Sequence, residues 1–306
     1  MVLCLLALPV FLVLGLFSLK YRLLARDALE CLFKTVTLRK CQSGLDDRIR
    51  AQITGKILRF SPKAAAIVYR HYMVLSWILL AVFVWSAYES GFGAYNYIYY
   101  GNCNGPESTG FCLLDPGGEY TGTSDADVDV QKETVYPEFQ EDDPIVGYPD
   151  ANLTIIEFGC YACPYTKKAE PIIQEVIEYY KGKVNVQFKT FVIPRHEQSY
   201  RAALAANCAA AQMKYAEYHD ALFEQQENLS NDTFKKIAQT IGLGMDDFDE
   251  CMLNEKYKSE IDADTLAGMH AGVVGTPTFF VNRQKIVGPK PFRTFKTIIN
   301  EELENV

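Results

Sequence analysis

A chain of 306 residues has room for one large or two modest domains. Its net charge is −8, with 30 Lys/Arg against 38 Asp/Glu. It contains nine cysteines, and their placement carries much of the functional signal.

Residues 2–19 are nearly all apolar, and residues 72–88 are similar, with an aromatic-rich extension through Tyr100. Both runs lie near the lower length limit for a membrane helix. Tyr95, Tyr97, Tyr99 and Tyr100 suit the aromatic belt of a membrane–water interface. The first run can also be read as a signal peptide, but it has no basic leading region and no small-x-small cleavage site after it. Two membrane helices are therefore expected within residues 1–100, joined by a basic loop. Residues 20–71 hold twelve Lys/Arg against four Asp/Glu, a net of +8. Residues 101–306 hold eighteen against thirty-three, a net of −15. An excess of Lys/Arg marks the cytoplasmic side. The loop is thus expected inside, and the long acidic part outside, in a two-pass protein of the cell membrane. The lipid bilayer, through its anionic headgroups, is the partner expected for the loop; nucleic acid is not.

The cysteines fit this topology. Cys4 lies in the first apolar run and reads as a small hydrophobe. Cys31 and Cys41 lie in the basic loop, where thiols stay reduced. The other six lie outside, an even number in an oxidising compartment. Cys103 and Cys112 bracket a turn-rich stretch that a disulfide can close. Residues 114–143 are rich in Gly, Asp, Glu, Ser and Thr, and read as a flexible acidic tether. Residues 101–143 thus form a Cys-containing turn and tether, leaving a domain over residues 144–306.

In that domain, residues 153–158 read as a buried strand and residues 164–181 as an amphipathic helix, with Pro164 suited to the first helical position. A strand at 184–191 follows, then a helical tract over about 197–272. Its pieces are expected near 197–226, 231–241, 246–254 and 256–270, punctuated by Gly242 and Gly244. Strands near 277–282 and 284–287 and a helix at 291–304 close the chain. This order is α/β. Cys208 falls mid-helix and Cys251 in the short helix after Met245-Asp-Asp-Phe, and a disulfide between them would staple the tract. Two buried thiols in helix packing are the alternative.

Between the first strand and helix stands Cys160-Tyr-Ala-Cys163. A thiol at a helix N-terminus faces unpaired N–H groups and the positive end of the dipole, which favours thiolate, the nucleophilic form. Far downstream comes Gly275-Thr276-Pro277, just before a strand. A strand–CxxC–helix followed by Gly-Thr-Pro resembles the thioredoxin superfamily. The tract Thr154-Ile-Ile-Glu157-Phe…Cys-Pro-Tyr…Gly-Thr-Pro-Thr-Phe-Phe resembles its DsbA-like branch, over about residues 142–303.

That resemblance implies a thioredoxin fold with a helical insertion, preceded here by the two transmembrane helices. It implies a cis Pro277 beside the cysteines, and a Thr276 backbone free to pair with an extended substrate strand. Such sequences carry an acid six residues before the attacking cysteine, a proline eight after it in some branches, and a resolving cysteine three after it. With Cys163 as attacker, Glu157 and Pro171 take the first two places and Pro164 follows the attacker, but Thr166 replaces the resolving cysteine. Cys163 is therefore read as the attacking thiol, with Cys160 its partner from the preceding loop. Glu157 is read as a buried acid with a raised pKa, able to shuttle a proton.

The implied activity is thiol–disulfide exchange, forming disulfides in reduced exported proteins and passing electrons to a membrane reoxidase of the DsbB or vitamin K epoxide reductase type. No organic cofactor and no metal is implied. A reductase or isomerase is the near alternative, and a redox-weakened binding or chaperone module, suggested by Thr166, is another. A zinc site at Cys160/Cys163 would need two more ligands, with only Cys208 and Cys251 as candidates. His196, His219 and His270 show no triad spacing and are assigned no catalytic role.

Overall fold

The computed structural model describes residues 45–125, 135–140 and 143–304, together with isolated helical positions between 19 and 33. The first expected membrane run, apart from its last residue, lies outside the described residues, as do Cys4, Cys31 and Cys41. The chain forms two units, Met1–Gly91 and Phe92–Val306.

Part of the expected basic loop is helical: α1 spans Leu45–Leu58. Ser61 Oγ then accepts the Ala64 N–H, and Pro62 opens α2, Pro62–Tyr100. Arg50 donates to the Tyr69 carbonyl and lies 3.9 Å over the Tyr69 ring centre, joining α1 to the first turns of α2. The backbone of α2 leaves helical geometry at His71 (φ −105°, ψ 16°), so the helix is kinked there. Residues 72–88 are its interior. Trp77, Ile78, Leu79, Val82, Phe83, Val84 and Trp85 are all exposed around it. An apolar surface on every side suits hydrocarbon rather than water. Among the described residues α2 is the one helix long and apolar enough to cross a membrane. Its 39 residues make about 58 Å, well beyond a hydrocarbon core of about 30 Å.

The second unit is built on a five-stranded sheet in the order β2-β4-β3-β6-β7. Its strands are β2, Ile145–Gly147; β3, Leu153–Gly159; β4, Val184–Thr190; β6, Thr278–Val281; and β7, Gln284–Val287. A two-stranded ribbon pairs β1, Ser124–Asp125, with β5, Gly275–Thr276. Strands β3 and β4 are parallel, joined by α3, Pro164–Tyr179; β6 runs antiparallel to β3, with Phe158 opposite Thr278. Alternation along β3 divides the core. Ile155 belongs to the larger cluster, with Ile173 and Val176 of α3 and Phe295 and Ile298 of α9, Phe292–Glu304. Ile156 and Phe158 belong to a second cluster with Phe191, Phe280, Cys160 and Cys163.

The insertion after β4 consists of α4, Ser199–Ala210; α5, Tyr215–Glu224; a 3₁₀ turn, Gln226–Asn228; α6, Asn231–Thr240; α7, Met245–Leu253; and α8, Lys258–His270. The single helix expected over 197–226 is broken, because Met213 takes a left-handed backbone (φ 58°) with no glycine to announce it. Cys208 of α4 is bonded to Cys251 of α7, with Cα atoms 5.9 Å apart. Cys103 is bonded to Cys112, with Cα atoms 5.3 Å apart.

The tether is more ordered than its composition suggests. The Asp115 carboxylate accepts the Glu119 and Tyr120 N–H groups at 3.0 and 3.1 Å. The buried Lys290 Nζ donates to the Ser108 carbonyl at 3.0 Å. The chain is laid onto the domain as far as β1. Farther on, the Gln140 backbone exchanges two hydrogen bonds with the Gln187 side chain. Turns held by single side chains leave no periodicity, which is why they read as tether.

Candidate functional site

Strand β3 ends at Gly159, and α3 begins at Pro164. The intervening turn is closed by the Cys163 N–H donating to the Cys160 carbonyl at 2.9 Å. Cys163 is the N-cap residue with extended backbone, and proline follows it at the first helical position, as its spacing suggests. Gln226, in the 3₁₀ turn of the insertion, holds this turn from outside. Its Nε2 donates to the Tyr161 carbonyl at 2.8 Å and the Cys163 carbonyl at 2.9 Å.

Both cysteines are free and fully buried. The Cys163 sulfur lies 3.4 Å from the Thr276 carbonyl oxygen and 3.1 Å from Ser124 Oγ. The Thr276–Pro277 bond is cis. Cys163, Thr276 and Pro277 therefore meet. The Cys160 sulfur faces elsewhere, 3.1 Å from Ser199 Oγ and 3.5 Å from His196 Nδ1. Burial pushes the Cys160 thiol up to about 11, against a smaller opposing effect of the Ser199 hydrogen bond. Burial, then the Arg195 charge, lowers the pKa of His196, so its ring is neutral near pH 7 and available to bond the thiol. Thr166 is buried one turn into α3, and its Oγ1 accepts the Cys160 N–H at 3.4 Å.

Glu157 lies on β3 opposite Phe188 and Phe279. It is 1 % exposed, and its Oε1 has no hydrogen-bond partner. Burial above all, then the charges of Glu170 and Cys163, raises its pKa well above the ordinary carboxylate range. A buried polar chain runs beside it. Tyr161 OH lies 3.0 Å from both Tyr215 OH and His219 Nδ1, and His219 Nε2 lies 3.3 Å from Glu170.

Four contacting residues escaped the sequence reading: Ser124, His196, Ser199 and Gln226. Each is a common residue type in a loop or helix end, set 36 to 63 positions from the cysteine it touches, with no local motif. His270 touches neither sulfur: its carbonyl accepts the Val135 N–H. Cys208 and Cys251 are bonded to each other, so they cannot complete a zinc set with Cys160 and Cys163.

This arrangement, a parallel β3-α3-β4 unit, a helix-capping cysteine and a cis proline facing it, defines a thioredoxin-fold protein. A family model described as thioredoxin matches residues 140–301, more than half of the chain, and the protein belongs to that family. Curated relatives include a Na(+)/H(+) antiporter NhaA 1 of Mycobacterium sp. (strain KMS), 34 % identical over 158 residues, or 51 % of this chain and 26 % of that protein. Another is a Na(+)/H(+) antiporter NhaA 3 of Salinispora tropica, 32 % identical over 147 residues, or 48 % of this chain and 22 % of that one. The chain thus spans about a quarter of the length of the curated relatives it matches. Similar solved structures include the thiol-disulfide exchange protein α-DsbA2 of Wolbachia pipientis, at 23 % identity and TM-score 0.48 over 52 % of this chain and 86 % of that one. BdbD of Bacillus subtilis in its oxidised form is 25 % identical, at TM-score 0.47 over 53 % and 93 %.

Proposed function

We propose that this protein is a membrane-anchored, DsbA-like thiol–disulfide oxidoreductase that forms disulfides in exported proteins. The observation that carries the reading is the Cys163 sulfur, at the start of α3 and 3.4 Å from the Thr276 carbonyl, three residues after Cys160. A turn closed by an i→i+3 hydrogen bond keeps its end Cα atoms within about 7 Å, a separation a disulfide can span. In the oxidised form Cys160 and Cys163 are joined. A substrate thiolate attacks the Cys163 sulfur, the Cys160–Cys163 bond breaks, and Cys160 leaves with the electron pair and takes up a proton. A second substrate thiolate then attacks the substrate sulfur of the mixed disulfide and releases Cys163 as thiolate, which takes up the second proton. The substrate loses two electrons and two protons, and the protein becomes the dithiol. Glu157, whose pKa burial above all and then the charges of Glu170 and Cys163 raise, is the proton donor proposed for the released Cys163 thiolate. A membrane reoxidase of the DsbB or vitamin K epoxide reductase type would take the electrons.

Mutants test the roles. Cys163→Ala should abolish mixed disulfides with a reduced peptide, and Cys160→Ala should accumulate them once Cys163 is given an activated disulfide. The reverse pattern makes Cys160 the attacker. Full turnover by Cys160→Ala makes Cys163 a monothiol.

A reductase or isomerase is the second reading, favoured by the raised pKa of Cys160, because a basic thiol leaves slowly and its disulfide resists opening. Equilibration with glutathione buffers decides between them. A potential near that of DsbA, about −120 mV, supports the oxidant, and one near that of thioredoxin, about −270 mV, supports the reductant. Failure to cycle at all would favour the binding module that Thr166 suggests.

The proposed location is the cell membrane in two passes, with residues 20–71 cytoplasmic and residues 101–306 extracytoplasmic. Helix α2 supports a membrane span, and the basic excess before it and acidic excess after it support the direction.

A further inference from the structure

The Thr276 edge that an extended substrate would use is already occupied. Ser124–Asp125 pairs antiparallel with Gly275–Thr276, Ser124 opposite Thr276 and Asp125 opposite Gly275. Ser124 is 6 % exposed, and its Oγ lies 3.1 Å from the Cys163 sulfur. The two approaches are tight. A Cβ on Gly275 would come within 2.5 Å of the Ser124 carbonyl oxygen, and a Cβ on Gly122 within 2.0 Å of the Tyr165 ring. Tyr165 is the second residue of α3, so the strap lies across the helix start as well as along the cis-proline loop. Upstream it is held by the Asp115 turn and the Cys103–Cys112 bridge.

We propose that residues 121–125 are a tethered, unreactive stand-in for the substrate strand, with the Ser124 hydroxyl in the place of the substrate cysteine thiol. Serine and cysteine differ only in the side-chain oxygen or sulfur, and the oxygen cannot complete a disulfide. The strap therefore closes the site without reacting, and the Cys163 sulfur is buried under it. A two-residue strand is a weak pairing, so a longer substrate strand can displace it on the same edge. The geometry also assigns a substrate preference. The favoured partner is an extended, reduced segment, antiparallel to Gly275–Thr276, with its cysteine opposite Thr276. Two residues before that cysteine it carries a small residue, where Gly122 meets the Tyr165 ring. This inference rests on the exchange reading of the site.

Two variants of the full chain, in detergent micelles, test it. In a Cys160→Ala background, Ser124→Cys is treated with glutathione disulfide. The expected product is a bond between the introduced thiol and Cys163, formed as two thiols pass two electrons and two protons to glutathione disulfide and release two glutathiones. Peptide mapping reads it. Cys163 found only as a glutathione adduct, with the introduced thiol outside any link to it, overturns the proposal. In the second arm, Gly122→Val forces the strap off the Tyr165 ring. Alkylation of Cys163 by iodoacetamide should rise by about tenfold or more, since reagent reaches the sulfur only in the open population. An unchanged rate overturns the strap even where the protein oxidises a dithiol peptide. A faster rate without any exchange with dithiol peptide, in either form, supports the strap and sinks the exchange reading instead.

Discussion

Cys160 and Cys163 sit three residues apart in different surroundings, and those of Cys160 give it a testable signature. Cys160 keeps its proton to about pH 11, above the ordinary value of 9.0. Its folded pKa is raised, so its contribution to stability is intact below about pH 9 and is lost as the pH climbs through 11. Reduced protein should therefore lose stability over that window, by about 1.4 kcal/mol for each tenfold difference in proton affinity between the folded and unfolded thiol. Cys160→Ser should flatten this alkaline limb in urea titrations taken across it. Glu157 obeys the same sign. Its raised folded pKa favours the native state at low pH and opposes it as the pH rises. Glu157→Gln removes the ionisation while keeping the volume. It should raise the unfolding free energy at neutral and alkaline pH, by about 1.4 kcal/mol for each tenfold difference in proton affinity between the folded and unfolded carboxyl, while slowing exchange. A midpoint that falls with the substitution would mean that the carboxyl is held charged. Glu157, Cys160, Cys163, Thr276 and Pro277 were legible because their spacing within two short tracts is itself the signal. Ser124, His196, Ser199 and Gln226 were not, because only the fold brings them to the sulfurs.

The elements show the same division. Strands β3, β4, β6 and β7 and helices α3 and α9 fall close to where apolar alternation and helical periodicity place them. The two-residue β1 and β5 are too short to have a period, and the three-residue β2 is little better. What pins the insertion to the sheet was equally hidden. Lys189 of β4 is buried, and its Nζ contacts Asp143, Asp264 of α8 at 3.2 Å and Gln140 Oε1 at 3.0 Å. Asp264 also accepts the Thr190 N–H at 3.1 Å. Among the described residues Lys189 is the one cation facing these two buried carboxylates, so its loss leaves charge uncompensated, and Lys189→Met should cost about 3–5 kcal/mol of unfolding free energy in urea titrations. The Cys208–Cys251 bond acts differently, through the unfolded chain. It closes a separation of 43 residues, so Cys208→Ala/Cys251→Ala should cost up to about 4 kcal/mol. The paired substitution should lower the midpoint without moving the Cys160/Cys163 potential, because neither residue touches the site.

The relatives named above share about half of this chain, and the thioredoxin match begins at residue 140. Everything before that point rests on this chain's own physics, and there the distribution of charge decides most. Twelve basic residues against four acidic ones precede the span, and thirty-three acidic against eighteen basic follow it. Short loops rich in Lys/Arg stay on the cytoplasmic side because translocating those charges against the membrane potential is unfavourable, about 2.3 kcal/mol per charge per 100 mV. Acidic residues have little influence, so the direction depends on the basic stretch alone. Neutralising it should then weaken the orientation, whereas adding acid to the other side should not. The direct test uses a Cys4→Ser/Cys160→Ser/Cys163→Ser background, leaving Cys31 and Cys41 as the free-thiol reporters of the basic stretch. An impermeant maleimide should miss both in intact cells and label both after permeabilisation. In the same background, with Cys31 and Cys41 also changed to serine, Lys181→Cys, at an exposed position just after α3, should be labelled without permeabilisation. Labelling of Cys31 or Cys41 in intact cells reverses the direction. It would also place the thiol pair in a reducing compartment, where a disulfide-forming role has no oxidant to draw on.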